Sequence, residues 1–538
     1  MRKLLSALLV LALALGMTSG IATAEEDPYA EHYTITWTTY LNAPITEDAV
    51  LIKAVEEKFN VDIDMLNIED NDFLEVLNTR IAGGDIPDVI RLKDPSQLIT
   101  YIDQGVVGAI NMDIVREHLP YVCEMLDNFQ DGAYWTMGMY EGQQYGIPAI
   151  AAGNVFHLPI VYNKTWMDAV GVEETPTTLA ELEDLMYKFA KDDPDGDGVD
   201  DTYGLSSDGM RLVFGAYGIN PGACDGRNDH SYFQLIDGQV QWAAATEQYR
   251  EALTLLAKWY ADGVIDPEFI TGENTGGYWA ISHSFVNGRI GMTVRGNYYH
   301  WVMPGMYQDY DADGNLTDVV AGAVANEFIT ANPDSELVYG STVEGPYGQG
   351  VKSWNLLAQF YVFSPSATAD EGKFTRIMDI MNYMELQYKT EGTEDKQEVL
   401  EFMYGEEGTY WFWKDKEVGE YGLTELYYDT YPEFAAVDEY GPTQWGPSLA
   451  TKQTSKAAQF AYSLGYDENG IANLIQFSLP AMAEYQSNLT SLKDSWMINF
   501  ITGKASTETD WDAYLAEMNA AGLDEMLAEV QEWYGANQ

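Results

Sequence analysis

The sequence predicts an α/β fold, and three observations carry that prediction. Residues 33–92 alternate between β-rich stretches and stretches with helical apolar spacing. A second region of the same kind opens near Leu158. The chain is 46% hydrophobic and 13% aromatic, enough to bury a sizeable core over 538 residues.

The elements follow in order. Tyr33 to Trp37 alternates with period two. Leu51, Ala54, Val55 and Phe59 recur at helical spacing. Val61, Ile63 and Met65 alternate again. Leu74, Leu77 and Ile81 form a second helical stripe, stopped by Gly83-Gly84, and Asp88 to Leu92 is a short apolar run. Strands alternating with helices predict a parallel sheet. Ligands of open sheets sit outside the carboxyl ends of the strands. That places Thr38 to Pro44, Asn67 to Asp72, and Lys93 to Ser96 (including Asp94) beside a cleft.

In the second region Thr178 and Glu181 form a capping box after Pro176. Leu179, Leu182, Met186 and Phe189 then line one helix face. Another helix runs through Leu253, Leu256, Ala257 and Tyr260 to a stop at Asp262-Gly263. Residues 305–350 are rich in Gly, Asp and turn dipeptides and predict hairpins and loops. Trp511 to Trp533 is helical with a break at Gly522.

Charge narrows the function classes. With 28 basic residues against 85 acidic ones, the formal charge is -57. Nucleic acid and anionic membrane surfaces are excluded, because both are bound through Lys and Arg. Arg2 and Lys3, the apolar run Leu4–Leu15 and the small triplet Ala22-Thr23-Ala24 form a secretory signal peptide over residues 1–24, cleaved after Ala24. No later stretch offers about 18 uninterrupted apolar residues. An exported, extracytoplasmic chain is expected. Cys123 and Cys224 are too few for a disulfide framework. No cysteine sits near the signal peptide, so the sequence offers no site for a lipid anchor there.

The sharpest local signal is Asp193-Pro-Asp195-Gly-Asp197-Gly-Val199-Asp200-Asp201. Oxygens from Asp193, Asp195, Asp197 and Asp201, with the Val199 carbonyl, match the calcium loop of EF-hands and its relatives. Ca²⁺ needs six to eight hard oxygens, and alternate residues of a turning chain converge on one point. The loop lacks the Glu that closes an EF-hand at its twelfth position. Structural Ca²⁺ at 193–202 is the expectation. Asp309-x-Asp311-x-Asp313-Gly-Asn315 has a similar rhythm, but Asp-Gly-Asn predicts a plain hairpin there.

Aromatic residues are the second signal. Several sit in polar, Gly-rich, turn-like sequence: Trp37 and Tyr40, Trp279, the run Arg295-Gly-Asn297-Tyr298-Tyr299-His300-Trp301, Trp354, Trp411 and Trp413, and Trp445. Aromatic faces stack on the apolar faces of sugar rings, while amides, acids and Arg bond the hydroxyls. Trp301 and Trp411 are expected to be exposed platforms whose loss weakens binding without unfolding. No His-Glu-x-x-His, Gly-x-Ser-x-Gly, P-loop or Cys-x-x-Cys motif occurs, so enzymatic signals are weak.

The motifs in order resemble the bacterial extracellular solute-binding proteins of family 1, the substrate receptors of ABC importers. They are Ala82-Gly-Gly-Asp-Ile-Pro-Asp88, Tyr101-Ile-Asp-Gln-Gly105, Gly142-Gln-Gln-Tyr-Gly-Ile-Pro148, Val161-Tyr-Asn-Lys164, the acidic loop, Phe285-Val-Asn-Gly-Arg-Ile-Gly-Met292 and Phe500-Ile-Thr-Gly-Lys504. The resemblance implies a type II periplasmic-binding-protein-like fold, two α/β lobes joined by hinge strands. The N-terminal lobe would hold residues 25–155 and 356–430, the C-terminal lobe 156–355 and 431–538. Hinge crossings would fall near Ala151–His157, Val351–Ala358 and Tyr421–Tyr440. Long members, including alginate-oligosaccharide receptors, carry a similar calcium loop. Arg295 to Trp301 would face ligand. The two cysteines would lie in different lobes and stay free.

The function this implies is capture of an oligosaccharide in an aromatic-lined interlobe cleft by a monomer that serves ABC permease subunits. A binding protein and not an enzyme is expected. The acidic charge, without a basic cluster, favours a neutral sugar. The alternatives are a secreted carbohydrate-binding scaffold without a transporter and a glycoside-degrading enzyme.

Overall fold

The computed structural model describes residues 28–40, 49–68, 72–150, 159–222, 230–271, 282–352 (less 297, 307, 312–314 and 320), 357–427, 430 and 469–536. Strand β1 (Tyr33–Tyr40) pairs in parallel with β2 (Val61–Ile68), in a register that sets Ile35 beside Ile63 and Trp37 beside Met65. Between them, α1 (Val50–Phe59) turns Leu51, Ile52, Val55 and Phe59 into the core. Burying each such side chain stabilises by about 1.5–3 kcal/mol, which fixes the face of the helix. The helix ends at Asn60, whose φ of 50° is left-handed. Helix α2 (Phe73–Ala82) and the fully buried β3 (Val89–Leu92) follow. Helix α3 (Pro120–Asn128) and β4 (Gly146–Ile150) complete this stretch.

The next elements are β5 (Ile160–Asn163), α4 (Leu179–Lys191), α5 (Glu247–Ala261), β6 (Met292–Thr293) and β7 (Leu337–Gly340). The predicted capping box opens α4: Glu181 N–H donates to Thr178 Oγ1 at 3.3 Å, and Thr178 N–H donates to Glu181 Oε2 at 3.1 Å. Strand β8 (Leu357–Phe363), α6 (Glu371–Glu385) and the hairpin of β9 (Trp411–Asp415) and β10 (Glu420–Leu423) come next. The chain ends in α7 (Pro480–Ile501), α8 (Trp511–Ala520) and α9 (Leu523–Ala536), with the predicted break at Gly522.

The main sheet has the order β2-β1-β3-β8-β4. It is mixed, which corrects the all-parallel expectation. Strand β8 lies antiparallel between β3 and β4, with Phe360 beside Leu92 and Pro148. Its partners are more than 200 residues away in sequence, so no local pattern announces its direction. A three-stranded sheet, β6-β5-β7, anchors the second region.

Two large apolar cores result. One draws on residues between Tyr33 and Ile150 and between Leu357 and Tyr427; the other draws on residues between Ile160 and Val351 and between Ile475 and Val530. The chain therefore passes between two lobes three times. One strap touches both. Phe477 packs against each core. Its neighbour Gln476 accepts at Oε1 from Leu357 N–H (2.9 Å) and from Tyr134 O–H (3.4 Å).

Arg376 of α6 closes the first lobe over its own start. Its guanidinium donates to the carbonyls of Glu31, Phe59 and Asn60 and lies 4.4 Å from the Tyr29 ring centroid. In residues 305–350 the predicted hairpin forms from Gln308–Tyr310 and Leu316–Asp318, with Asn315 N–H donating to Asp311 Oδ1 at 2.8 Å. A helix, Ala323–Ala331, also forms there and was not predicted; it buries Val324, Ala325 and Phe328. Among the described residues, no helix is long and apolar enough to cross a membrane.

Candidate metal and ligand sites

The acidic loop leaves the end of α4 with Asp193 at φ 48°, and Gly196 and Gly198 at φ 73° and 81° supply its turns. Backbone amides then orient the carboxylates. Gly198 N–H donates to Asp193 Oδ2 (3.1 Å) and Val199 N–H to Asp197 Oδ1 (2.7 Å). Carboxylate oxygens of Asp193, Asp195 and Asp197 come within 4.8 Å of one another. Desolvation first, then a side-chain hydrogen bond with Asp193 and the Asp197 and Asp193 charges, hold the Asp195 carboxyl above its ordinary range. A hard divalent cation would relieve that repulsion, so the donor set fits calcium. Asp201 is not one of the three converging carboxylates. Beyond it, Thr202 Oγ1 donates to Phe189 O (2.8 Å) and ties the loop's exit back to α4.

The predicted sugar-facing residues divide sharply. Trp37, Arg295, Trp301 and Trp411 are each 0% exposed. Their expected role as surface contacts is therefore corrected. Trp37 is a core residue of β1, beside Met65 and Val89. The Trp301 indole N–H donates to Arg295 O (2.6 Å), and its ring stands edge-on to Phe285. The Trp411 indole N–H donates to Gly405 O (2.9 Å). At Trp301 the flanking glycine admits the ring onto the backbone: a Cβ at Gly296, where φ is +84°, would sit 3.0 Å from Trp301 Nε1. The Gly-rich context that reads as an exposed turn is the receptor for a buried indole.

Arg295 is held inside the second lobe. Its Nη1 donates to Asp208 Oδ2 (2.6 Å), and Arg211 Nε donates to Asp208 Oδ1 (3.1 Å). Beside Trp301, burial pushes the His300 imidazole down to about 4.

The other candidates lie elsewhere. Asp94 is half-buried at the carboxyl end of β3 and caps the turn Pro95–Gln97, accepting from Ser96 N–H at 2.9 Å. Trp413 is half-buried on β9, with Lys416 Nζ 5.4 Å from its ring centroid. Tyr40 ends β1 and Tyr298 opens the turn Tyr298–Trp301. Trp279, Asn297, Trp354 and Trp445, with Cys224 and residues 1–24, lie outside the described residues. The Cys123 thiol is free and buried, and burial pushes it up to about 11.

A cavity of about 690 Å³ opens in the first lobe between α3 and the end of α6. Tyr121, Phe129 and Asn382 line it, with Ile150 of β4. Sequence reasoning missed all of them, because Tyr121 sits on a helix whose pattern reads as ordinary packing.

The family model for bacterial extracellular solute-binding proteins matches residues 50–359, more than half of the sequence. The chain belongs to that family. Among relatives of this solute-binding protein is the fructooligosaccharide ABC transporter substrate-binding protein FusA of Streptococcus pneumoniae serotype 4 (strain ATCC BAA-334 / TIGR4). It is 26% identical over 238 residues, 41% of this chain and 42% of FusA. The polygalacturonan/rhamnogalacturonan-binding protein YtcQ of Bacillus subtilis (strain 168) is 26% identical over 40% of this chain and 41% of its own. These matches span less than half the length of either relative.

Solved structures extend the likeness to the fold. Alginate-binding protein AlgQ2, solved without calcium ion, superposes with a TM-score of 0.63 at 15% identity, covering 94% of this chain and 99% of AlgQ2. FusA as an EF-hand mutant in complex with fructo-nystose gives 0.63 at 18%, covering 94% and 100%. The solute-binding protein therefore has the periplasmic-binding-protein-like fold, with its two α/β lobes.

Proposed function

We propose that this solute-binding protein is the extracytoplasmic receptor of an ABC importer, and that it captures an oligosaccharide between its lobes. The observation that carries this reading is the pair of separate cores joined by three chain passages. Two bodies that move about such passages close over a ligand touching both, and the ligand's differential affinity for the closed form drives the motion. Relatives named for fructooligosaccharide and for galacturonan binding support a sugar cargo. The formal charge of -57 favours a neutral one. Tyr40, Asp94, Tyr298 and Trp413 remain candidate contacts, as do Trp279, Asn297, Trp354 and Trp445. Export by a signal peptide cleaved after Ala24, a monomeric receptor, permease partners and the absence of catalysis belong to the same reading.

The test combines binding with shape. Tryptophan fluorescence should identify an oligosaccharide that binds at micromolar concentration or better. Small-angle scattering should then show a smaller radius of gyration, and the sugar should be recovered intact. Compaction absent at saturating sugar would reject capture by closure, and shorter products would make the protein an enzyme.

We assign structural Ca²⁺ to the loop 193–202. Asp193, Asp195 and Asp197 would hold it, with the Val199 carbonyl and Asp201 completing the shell. The ion would supply positive charge that fixes the loop at the end of α4. Calcium at about 100 times its dissociation constant should add about 2.7 kcal/mol of stability. EDTA should lower the melting midpoint of the wild type and leave that of Asp195→Ala unchanged. Equal midpoints for the wild type with and without EDTA would remove the metal assignment.

A further inference from the structure

We propose that the groove between α3 and α6 is a subsite for a neutral sugar ring, which holds one end of an oligosaccharide whose remainder lies between the lobes. This rests on the oligosaccharide-capture reading. The groove's volume of about 690 Å³ falls within the range of roughly 300–1,000 Å³ of small-ligand sites. Its lining is amphipathic in the way a sugar ring requires. Tyr121, Met125 and Phe129 offer apolar surface for C–H faces, and Asn128 and Asn382 offer amides for hydroxyls. Asn382 is held in place, because its Oδ1 accepts from Tyr121 N–H at 3.1 Å.

The electrostatics select against an anion. Lys389 lines the groove, but its ammonium is paired with Asp395 at 2.7 Å. Glu124 and Glu391 add negative charge to the rim. A uronate carboxylate brought there meets the two glutamates, and among the described lining residues the one ammonium is already paired.

Position ties the groove to the lobes. Ile150 in its lining is the last residue of β4, where the chain leaves for the second lobe, and it pairs with Leu357. The Leu357 N–H donates to Gln476 on the interlobe strap. The Phe129 ring stands edge-on to Tyr134, 5.2 Å between centroids, and the Tyr134 hydroxyl reaches the same Gln476. A sugar in the groove therefore rests against the residues that join the two lobes.

The experiment uses the mature chain with calcium and calorimetric titration of neutral α-glucan, β-fructan and β-mannan ladders from tri- to hexasaccharide. Affinity of the wild type should rise with length along the bound ladder. Glu124→Trp fills the groove from an exposed helix position, and Phe129→Ala removes one of its aromatic faces. Both should bind the longest member at least tenfold more weakly and the shortest within twofold of wild type, with the Glu124→Trp melting midpoint retained. Wild-type affinity of both variants for the longest member overturns the subsite and leaves capture standing. A wild type that binds neither the neutral ladders nor an oligogalacturonide overturns capture and the subsite together. An oligogalacturonide that binds more tightly than the neutral ladders, and loses that affinity in Glu124→Trp, overturns the neutral assignment.

Discussion

Trp301→Ala is expected to destabilise the second lobe by about 3–5 kcal/mol, the range for emptying a buried aromatic site. The indole is fully enclosed with Phe285, Val324 and Phe328. Its N–H is satisfied by the Arg295 carbonyl at 2.6 Å. The carbonyl of Trp301 accepts from the Tyr339 hydroxyl, so the backbone is held as well as the ring. Alanine leaves a cavity that the rigid surroundings of β5 cannot collapse into, and it strands the Arg295 carbonyl. Denaturant unfolding should show a lower midpoint at constant slope. A variant as stable as wild type that has lost sugar affinity would return Trp301 to the role of an exposed platform.

Asp208→Ala is expected to cost a similar ~3–5 kcal/mol, by a different route. The carboxylate lies between Arg295 and Arg211, with side-chain exposures of 1%, 1% and 4% for the Asp208, Arg295 and Arg211 groups. Two guanidinium groups out of water share that carboxylate. Its removal takes a shared anion from two buried charges, which is far more costly than never having buried the cluster. Asp208→Asn, which keeps the shape and one acceptor oxygen, should lose less than Asp208→Ala. Equal losses in the two variants would show that the acceptor oxygen kept by asparagine contributes nothing, and an Asp208→Ala protein as stable as wild type would overturn the prediction. The cluster also underlies the segment that carries Trp301, through Arg295 itself, so the two substitutions should not be additive.

What the sequence made legible was local. The β1–α1–β2 order, the Thr178–Glu181 capping box and the Gly522 break each depend on residues a few positions apart, and each formed as read. The acidic loop belongs to the same class: alternate aspartates brought three carboxylates together. The ligand residues were misread where a local pattern has two physical meanings. Glycine beside tryptophan marks either an exposed turn or an indole seated on bare backbone, and Trp301 is the second, while Trp411 is buried with its N–H on a backbone carbonyl. Strand β8 could not be oriented because its neighbours β3 and β4 are fixed only once the chain has returned. Tyr121 and Phe129 were passed over because helical aromatics usually pack, and only the space between two helices shows what they border.

Arg376 holds a consequence for how the molecule is made. The first strand is clamped by a guanidinium encoded more than 300 residues later, and the central sheet stays incomplete until β8 has been synthesised. The second core likewise waits for α7 to α9 at the far end of the chain. The first lobe stays unfinished until residues 357–427 have been made and the second until the last helices have, and such long-range pairing folds slowly. Both lobes thus stay open through most of the synthesis of the chain. The same topology leaves the edges of the central sheet exposed during that interval, where unpaired strands are prone to aggregation.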